Sequence, residues 1–384
     1  MGLQRTILRL FPQYRLQARE LEAARLKLAS AKAPVPAPAR VPVPLSAAPR
    51  YLIAKSSTVG IGNRLLFLAG CLFLGRETGR RVIVDWRDGM FGDLAENSFW
   101  SYFEESDAFL VREFSFLEEA PPGDFTMPEW AGHLPLDIVT RCRLQRESQG
   151  LTGPVNGAVL AETGWKYHGY FGPDLPERIL VTYGGKSRLS EFPPARLKAQ
   201  FPALEPNAEA VIGHLLRAGL RPGPELRRRR DEFAAAHFQG RPVLGVHLRN
   251  TDKTPTRPIE ELLAEARALA ETIAGEGTAP AIFLATDHEP TQHLFRQAFG
   301  ERLLVVPKWF DPAAAALHYS KNADAAQKRA MGLEALLDLY LLARCGYLYL
   351  QPNSTFSRIA AYLTEAPAAR LHWHSTRETV PWTP

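Results

Sequence analysis

The sequence predicts an α/β protein with parallel sheets, preceded by a helix and a proline-rich linker. Its length of 384 residues favours two domains over one. Short apolar runs alternate with helical patterns in residues 50–86 and again after residue 240, and this alternation is typical of parallel, doubly wound sheets. Polar clusters directly follow three of the predicted strands, as ligand-binding loops do in open α/β sheets.

The composition is that of an ordinary soluble protein, with 46% hydrophobic and 23% charged residues. The formal charge of +5 suits an anionic ligand but is too small to indicate nucleic acid as a partner. Cys71, Cys142 and Cys345 lie far apart, which fits neither a disulfide framework nor a zinc site, so we expect reduced, buried thiols. No apolar run is long enough to cross a bilayer and no signal-peptide core is present, so we expect a cytoplasmic protein.

Residues 1–49 are predicted to form an N-terminal helix and a linker. Residues 1–33 have a helical pattern with three hydrophobic residues at heptad spacing, too few for a coiled coil. Both weak self-association and peripheral contact with a membrane remain open for this segment. Alternating prolines in residues 33–44 predict an extended polyproline linker.

Residues 50–239 are predicted to form the first α/β domain. Strand, helix and strand patterns at residues 51–54, 65–77 and 81–86 indicate a βαβ unit. Residues 87–210 show little periodicity, and we expect an irregular structure there. The run of four arginines at residues 227–230 lies within a helical pattern, which favours a solvated helix face over nucleic-acid binding.

The turn of this βαβ unit carries two glycines. Gly60 and Gly62 allow the backbone to approach a ligand closely, and the helix that follows offers its positive N-terminus. Asn63 either contacts that ligand or caps the helix. The full dinucleotide-binding and Walker patterns are both absent.

Residues 240–384 are predicted to form the second α/β domain. Its strands are expected near residues 243–248, 281–286, 303–306 and 347–350, with helices between and after them. The polar residues that follow three of these strands lie at residues 247–253, 286–287 and 353–355. Because the carboxyl ends of parallel strands meet at one edge of a sheet, we expect a binding site at that edge.

The polar motifs resemble those of one enzyme family. Residues 247–253, His-Leu-Arg-Asn-Thr-Asp-Lys, are similar to the His-x-Arg-Arg-x-Asp-Lys motif of GDP-fucose-dependent fucosyltransferases. Residues 337–345 and 354–358 resemble segments of nodulation-type and core α1,6-fucosyltransferases, and residues 60–64 resemble the start of the same enzymes. The resemblance extends over residues 50–365, and the order of the motifs makes it specific.

The resemblance implies a GT-B-like fold, in which two Rossmann-like domains face a cleft. The first, residues 50–239, would lie on the acceptor side, and the second would hold the donor. It implies an inverting transfer of L-fucose from GDP-β-L-fucose to a hydroxyl of a glycan or glycolipid acceptor, with an α1,6 linkage to N-acetylglucosamine among the options. No cofactor is implied. The reaction is expected to be metal-independent, and the sequence lacks the Asp-x-Asp pair that holds a divalent cation on a nucleotide diphosphate.

The resemblance also assigns roles to residues. Arg249 would bind the β-phosphate and stabilise the leaving GDP; His247 and Asp338 would lie by the guanine and ribose; Ser354 and Thr355 would bond phosphate or sugar oxygens. The predicted donor site comprises His247, Arg249, Asn250, Lys253, Asp287, Asp338, Ser354, Thr355, Phe356, Gly60, Gly62 and Asn63. The predicted catalytic residues are Arg249, Asp252 and Glu260.

Two departures from the family pattern leave alternatives open. The second arginine of the motif is Asn250 here, and the glutamate that would act as base has no clear match, so Asp252 and Glu260 are only candidates. A transferase that uses another GDP-sugar is one alternative. A catalytically silent relative that binds nucleotide or glycan is the other. Asp338 could instead be an interhelical polar contact, and Asp287 a helix cap.

Overall fold

The computed structural model describes residues 49–56, 59–94, 96–105, 110–153, 155, 159, 175–238, 240–251, 257–311 and 323–374. Residues 1–45 and 46–384 form two separate compact units, and all described residues belong to the second. The predictions for the N-terminal helix, for most of the linker, and for Asp252 and Lys253 lie outside the described residues.

The described residues form an alternating series of strands and helices. The strands are β1 (Arg50–Lys55), β2 (Arg80–Asp85), β3 (Phe103–Glu104), β4 (Leu110–Val111), β5 (Ile179–Tyr183), β6 (Arg221–Pro222), β7 (Val243–Leu248), β8 (Ala281–Thr286), β9 (Leu303–Leu304), β10 (Tyr347–Leu350) and β11 (Leu371–Trp373). The helices are α1 (Ile61–Thr78), α2 (Ile138–Ser148), α3 (Pro194–Gln200), α4 (Ala208–Gly219), α5 (Pro224–His237), α6 (Ile259–Gly275), α7 (Glu289–Phe299), α8 (Ala325–Leu342) and α9 (Thr355–Leu363).

The first sheet has the strand order β4-β2-β1-β5, and its pairs are parallel. Ile53 of β1 lies opposite Ile83 of β2 and Val181 of β5, so the apolar centres of the three strands are in register. The predicted βαβ unit of β1, α1 and β2 is confirmed. Helix α1 is buried along most of its length, which a helix needs when it lies between a sheet and other helices.

The second sheet has the strand order β11-β10-β7-β8-β9, again with parallel pairs. Strand β7 lies at its centre and pairs with β10 on one side and β8 on the other. All six residues of β7 and of β8 are buried, as expected for a parallel sheet covered on both faces. The four strands predicted after residue 240 are confirmed; the boundary between residues 239 and 240 stays a prediction.

Helix α9 connects the two parts of the fold. It follows β10 of the second sheet in the chain, yet it packs mainly against α1 and α4, which come from the region before residue 239. The side chain of Arg217 on α4 donates to the carbonyl of Tyr362 near the end of α9. At its other end, the backbone of Thr355 and Phe356 lies against Gly62 at the N-terminus of α1.

Several other sequence predictions have a structural outcome. The three cysteines are free and buried, as expected. Arg228 on α5 is exposed and pairs with Glu225 and Glu232, which agrees with a solvated helix face. Within the ranges given above, no helix is both long and apolar enough to cross a membrane. The expectation of an irregular structure for residues 87–210 is wrong in part, because this region contains α2, α3 and the sheet strand β5.

We expect deletion of residues 1–45 to leave the remaining protein folded. These residues form a unit of their own, and a proline-rich linker transmits little packing energy. Differential scanning calorimetry should show one cooperative transition for residues 46–384, at a temperature close to that of the full chain. Loss of the cooperative transition would contradict this expectation.

Candidate active site

A cleft that is open to solvent lies at the carboxyl ends of β7 and β8, the place where ligands bind in open α/β sheets. Its walls are the first turns of α1 and α9, the loop after β2, the segment after β9 and one face of α8. The lining residues are Gly60, Ile61, Gly62, Phe91, His247, Arg249, Ala285, Thr286, Asp287, Lys308, Met331, Glu334, Ala335, Asp338 and Phe356. The edge of the sheet at which a binding site was predicted therefore opens into a cavity.

The first wall is made by two helix N-termini in contact. A Cβ atom at Gly62 would lie 2.8 Å from the backbone nitrogen of Phe356 and 3.0 Å from the carbonyl carbon of Thr355, so only glycine permits this approach. Ser354 precedes the first residue of α9, and its hydroxyl is buried without a hydrogen-bond partner among the described residues. Two helix N-termini and a spare hydroxyl together suit an anionic group such as phosphate.

Arg249 emerges where β7 ends, and the loop that carries it is held by Asp287. The backbone N–H of Asn250 donates to Asp287 Oδ1 (3.0 Å), and the Thr251 hydroxyl donates to Oδ2 (2.5 Å). The Arg249 Nε atom lies 3.6 Å from Asp287 Oδ2, and its backbone N–H donates to Gln351 Oε1 (2.7 Å). Asp287 thus orients the arginine. It does not cap α7, because His288 does so through a hydrogen bond from the backbone N–H of Thr291.

His247 occupies the floor of the cleft. Its ring stacks on Phe356 with 4.8 Å between ring centres, and its Nδ1 atom is hydrogen-bonded to Ser357 Oγ (2.7 Å). The same oxygen accepts a hydrogen bond from the backbone N–H of Gln351 (3.0 Å). Burial, with Arg249 and other cations nearby, lowers the pKa of His247 to about 3. The imidazole is therefore neutral at physiological pH and does not add charge to the cleft.

This low pKa predicts how stability depends on pH. The folded pKa of about 3 lies below the ordinary value of about 6.5, so the unfolded chain takes up the proton first as the pH falls. The resulting stabilisation is fully present above about pH 6.5 and is lost as the pH falls toward 3, with a slope of up to about 1.4 kcal/mol per pH unit. The free energy of unfolding, measured with urea at about pH 7, 5 and 4, should change less with pH in His247→Gln than in the wild type. The control is His237→Gln on α5, which should keep the pH dependence of the wild type. An equal pH dependence of the unfolding free energy in the two variants would contradict this prediction.

Lys308 and Asp338 form a buried ion pair at the side of the cleft, with only 4% and 6% of their side chains exposed. Lys308 Nζ also lies 3.4 Å from the carbonyl oxygen of Thr286 at the end of β8. Burial raises the pKa of Asp338, although Lys308 opposes that change. Its Oδ1 atom is buried and has no partner among the described residues, so one carboxylate oxygen is available to a ligand. The interhelical alternative does not describe Asp338, whose ion pair is with Lys308 and which faces the cleft.

One turn before Asp338 on α8, Glu334 lines the cleft between Met331 and Ala335. Its Oε2 atom accepts a weak hydrogen bond from the backbone N–H of Trp309 (3.4 Å). Burial raises the pKa of Glu334 above its usual range. This wall of α8 combines apolar side chains with two carboxylates, and differs in character from the cationic wall.

The cleft brings together most of the predicted residues. His247, Arg249, Asp287, Asp338, Phe356, Gly60 and Gly62 line it directly. Ser354, Thr355 and Asn63 lie in the first turns of α9 and α1 or just before them, and Asn250 lies beside Asp287. Glu260 is exposed in the first turn of α6 and is not among the lining residues.

Sequence reasoning missed several residues of the cleft. Glu334, Met331 and Phe91 belong to no recognised motif, and Gln351 and Ser357 act through hydrogen bonds to Arg249 and His247. A search of the described ranges finds no group of three His, Cys, Asp or Glu side chains placed to hold a metal ion. Metal independence stays a prediction.

The chain was compared with known proteins. No family model matches the sequence. Nodulation protein Z of Bradyrhizobium diazoefficiens is 24% identical over 336 residues, which cover 82% of this chain and 79% of that protein. The solved structure of the NodZ α1,6-fucosyltransferase soaked with GDP-fucose matches with a TM-score of 0.51 and 20% identity over 83% of this chain and 93% of that one. FUT1 of Arabidopsis thaliana, as a variant in complex with GDP, matches with a TM-score of 0.53 and 15% identity over 86% and 71%.

These likenesses agree with the architecture described above. The structural neighbours have the GT-B arrangement of fucosyltransferases, and the two parallel sheets of this chain correspond to it. The predicted fold class is confirmed. The chain is therefore similar in sequence to Nodulation protein Z and shares the fold of the solved fucosyltransferases.

Proposed function

We propose that the protein transfers L-fucose from GDP-β-L-fucose to a hydroxyl of a saccharide acceptor, with inversion at the sugar carbon. One observation carries the proposal: a single cleft is lined both by Arg249 with the joined N-termini of α1 and α9 and by two carboxylates on α8. GDP has the same polarity, with a diphosphate at one end and the hydrogen-bond donors of guanine and ribose at the other. The relationship to NodZ, whose structure was soaked with GDP-fucose, supports this donor.

In this proposal the cationic wall binds the diphosphate. Charge develops on the β-phosphate as the bond to fucose breaks, and a guanidinium fixed beside it stabilises the transition state more than the bound substrate. Arg249 is prepared for this role because Asp287 and Gln351 hold its loop. The backbone N–H groups of the two helix N-termini and the Ser354 hydroxyl would bind the remaining phosphate oxygens.

The wall formed by α8 would bind the nucleoside. Asp338 Oδ1 and the carboxylate of Glu334 are hydrogen-bond acceptors, and guanine N1–H, its amino group and the ribose hydroxyls are donors. Met331, Ala335 and Ala285 provide apolar contacts for a planar base. In a site that binds an anionic substrate, a buried carboxylate costs free energy unless it accepts hydrogen bonds from such donors.

The acceptor, its linkage and the general base remain proposals. A saccharide acceptor follows from the transferase assignment, and α1,6 linkage follows the NodZ relative. Asp252 lies outside the described residues, and Glu260 is exposed. Neither is favoured as the base over the other.

The decisive experiment measures GDP release from GDP-fucose with and without a panel of saccharide acceptors, including N-acetylglucosamine oligosaccharides. A fucosyltransferase releases GDP in step with the fucosylated product, and only when an acceptor is present. GDP-mannose serves as the control donor. Binding of GDP without turnover on any acceptor would support the silent relative, and faster transfer from GDP-mannose would support another GDP-sugar.

We expect activity to persist in excess EDTA. Arg249 and two helix N-termini already provide positive charge where a metal would act on the diphosphate. Initial rates of fucose transfer should be equal within error before and after chelation, with a known manganese-dependent transferase treated alongside. Activity that disappears with EDTA and returns with Mn²⁺ or Mg²⁺ would show that a metal is required.

A further inference from the structure

A second pocket, with a cavity volume of about 370 Å³, opens in the part of the chain before residue 239. It lies near the exit of β2, and the proposed donor chemistry does not use it. Trp100 and Phe114 provide aromatic surface, and the other lining residues are polar or charged. A pocket of this size and polarity suits a polar organic ligand of more than one ring.

The pocket and the donor cleft share a wall. The Tyr102 hydroxyl lies 3.0 Å from the carbonyl oxygens of both Phe91 and Arg329. Phe91 lines the cleft, whereas Trp100, two residues before Tyr102, lines the pocket. The Arg329 side chain, from the start of α8, pairs with Glu96 of the pocket. The pocket and the cleft are therefore neighbours, connected through Tyr102 and Arg329.

The charges of the lining favour a neutral ligand. Two arginines and three glutamates line the pocket. Arg87 is held by Asp85 (Nε–Oδ1, 3.0 Å) and Glu96 by Arg329, so their charges are already compensated. Glu118 also pairs with Arg87 (3.6 Å), and the remaining Arg112 and Glu113 carry opposite charges, so the lining has no excess positive charge for a phosphate or a second nucleotide. Planar charged side chains of both signs are instead good partners for neighbouring hydroxyl groups.

Trp100 provides the apolar contact. Its ring packs edge-on against Phe99 (4.9 Å between centres), and the Arg112 guanidinium lies 5.8 Å from its centre. Its Nε1–H group is buried and has no acceptor among the described residues. An amphipathic ring with a spare donor can contact the C–H face of a sugar and also bond one of its oxygens.

We propose that this pocket binds the sugar units of the acceptor that adjoin the reacting unit. The inference rests on the proposed function for its link to the cleft, and it names the ligand as a neutral oligosaccharide. The pocket fixes the acceptor chain through Trp100 and the carboxylates, and the shared wall directs the reacting hydroxyl toward the donor.

Binding can be tested without turnover. Saturation-transfer difference NMR on the full chain would use an N-acetylglucosamine tetrasaccharide as the probe, with and without saturating GDP. We expect saccharide signals that persist with GDP and disappear in Trp100→Ala. No signal with the wild type, displacement of the saccharide by GDP, or undiminished signal in Trp100→Ala would overturn the proposal.

Kinetics then separate the pocket from the donor site. Trp100→Ala should raise the acceptor KM about tenfold, the equivalent of one aromatic contact, and leave the KM for GDP-fucose within about twofold. Arg112 is exposed, so Arg112→Ala should leave the fold intact. It should also raise the acceptor KM. Phe116→Ala, an exposed aromatic residue on the same segment that does not line the pocket, is the matched control. A wild type that binds the tetrasaccharide but transfers no fucose would refute the proposed function alone; transfer with unchanged acceptor KM in both variants would refute the pocket.

Discussion

Arg249→Ala should lower the rate of fucose transfer by about 100- to 1,000-fold, the usual effect of removing one preorganised donor to a developing anion. Arg249→Lys should also be severely impaired, because an ammonium group keeps the charge but not the paired geometry of the guanidinium. The fold should survive both changes, since only the backbone of Arg249 is bonded to Gln351 and the side chain lies in the cleft.

The measurement is the initial rate of transfer at saturating donor and acceptor, after circular dichroism has shown native secondary structure. Arg228→Ala is the matched control, because Arg228 is exposed on α5 and pairs only with neighbouring glutamates of its own helix in the described structure. Near-normal turnover of folded Arg249→Ala would mean that other groups hold the leaving diphosphate, and the assignment of the cationic wall would then be wrong.

Gly62→Ala should both destabilise the protein and reduce activity. The added methyl carbon would lie 2.8 Å from the backbone nitrogen of Phe356, and neither helix end can give way without moving its N–H groups. Overpacking of this kind costs about 1–3 kcal/mol of stability. A displacement of about 1 Å in groups that position a substrate can lower the rate about 100-fold.

The control is Gly275→Ala, also a helical glycine, where an added Cβ meets nothing within 4 Å. That change should be neutral or slightly stabilising, because alanine restricts the unfolded chain more than glycine does. Urea unfolding gives the stability of both variants, and calorimetry gives their affinity for GDP. Wild-type GDP affinity in Gly62→Ala would show that the junction of α1 and α9 does not bind phosphate.

The elements that the sequence predicted well are those with a strong local pattern. The strand at residues 347–350 was predicted at its observed bounds, because its apolar run is short and flanked by Gly346 and Pro352. Helix α1 begins four residues earlier than predicted, since Gly60 and Gly62 gave the appearance of a turn while Gly62 is in fact within the first helical turn. Strand β5 was missed because no helical pattern marks its flanks, although it pairs along the whole of β1 except Arg50.

The site was predictable where a residue directly follows a strand, as His247 and Arg249 do. It was not predictable where function depends on pairs distant in the chain. Lys308 and Asp338 are 30 residues apart, and only the fold reveals that they neutralise each other. Asp287 shows a further limit: its sequence position fits a helix cap, and only the structure reveals that it holds the Arg249 loop. The role of Ser357 depends on a contact with His247 across 110 residues.

The position of α9 has a consequence for engineered chimaeras. A donor module cut at residue 240 would carry α9 away from α1 and α4, which it covers in the native protein. Exchange of residues 240–384 for those of another transferase would therefore also replace the surface against which α1 packs, together with the backbone that faces Gly62. A chimaera intended to change donor preference without loss of solubility should keep residues 355–363 of the native chain. The foreign segment should therefore end in the loop between β10 and α9.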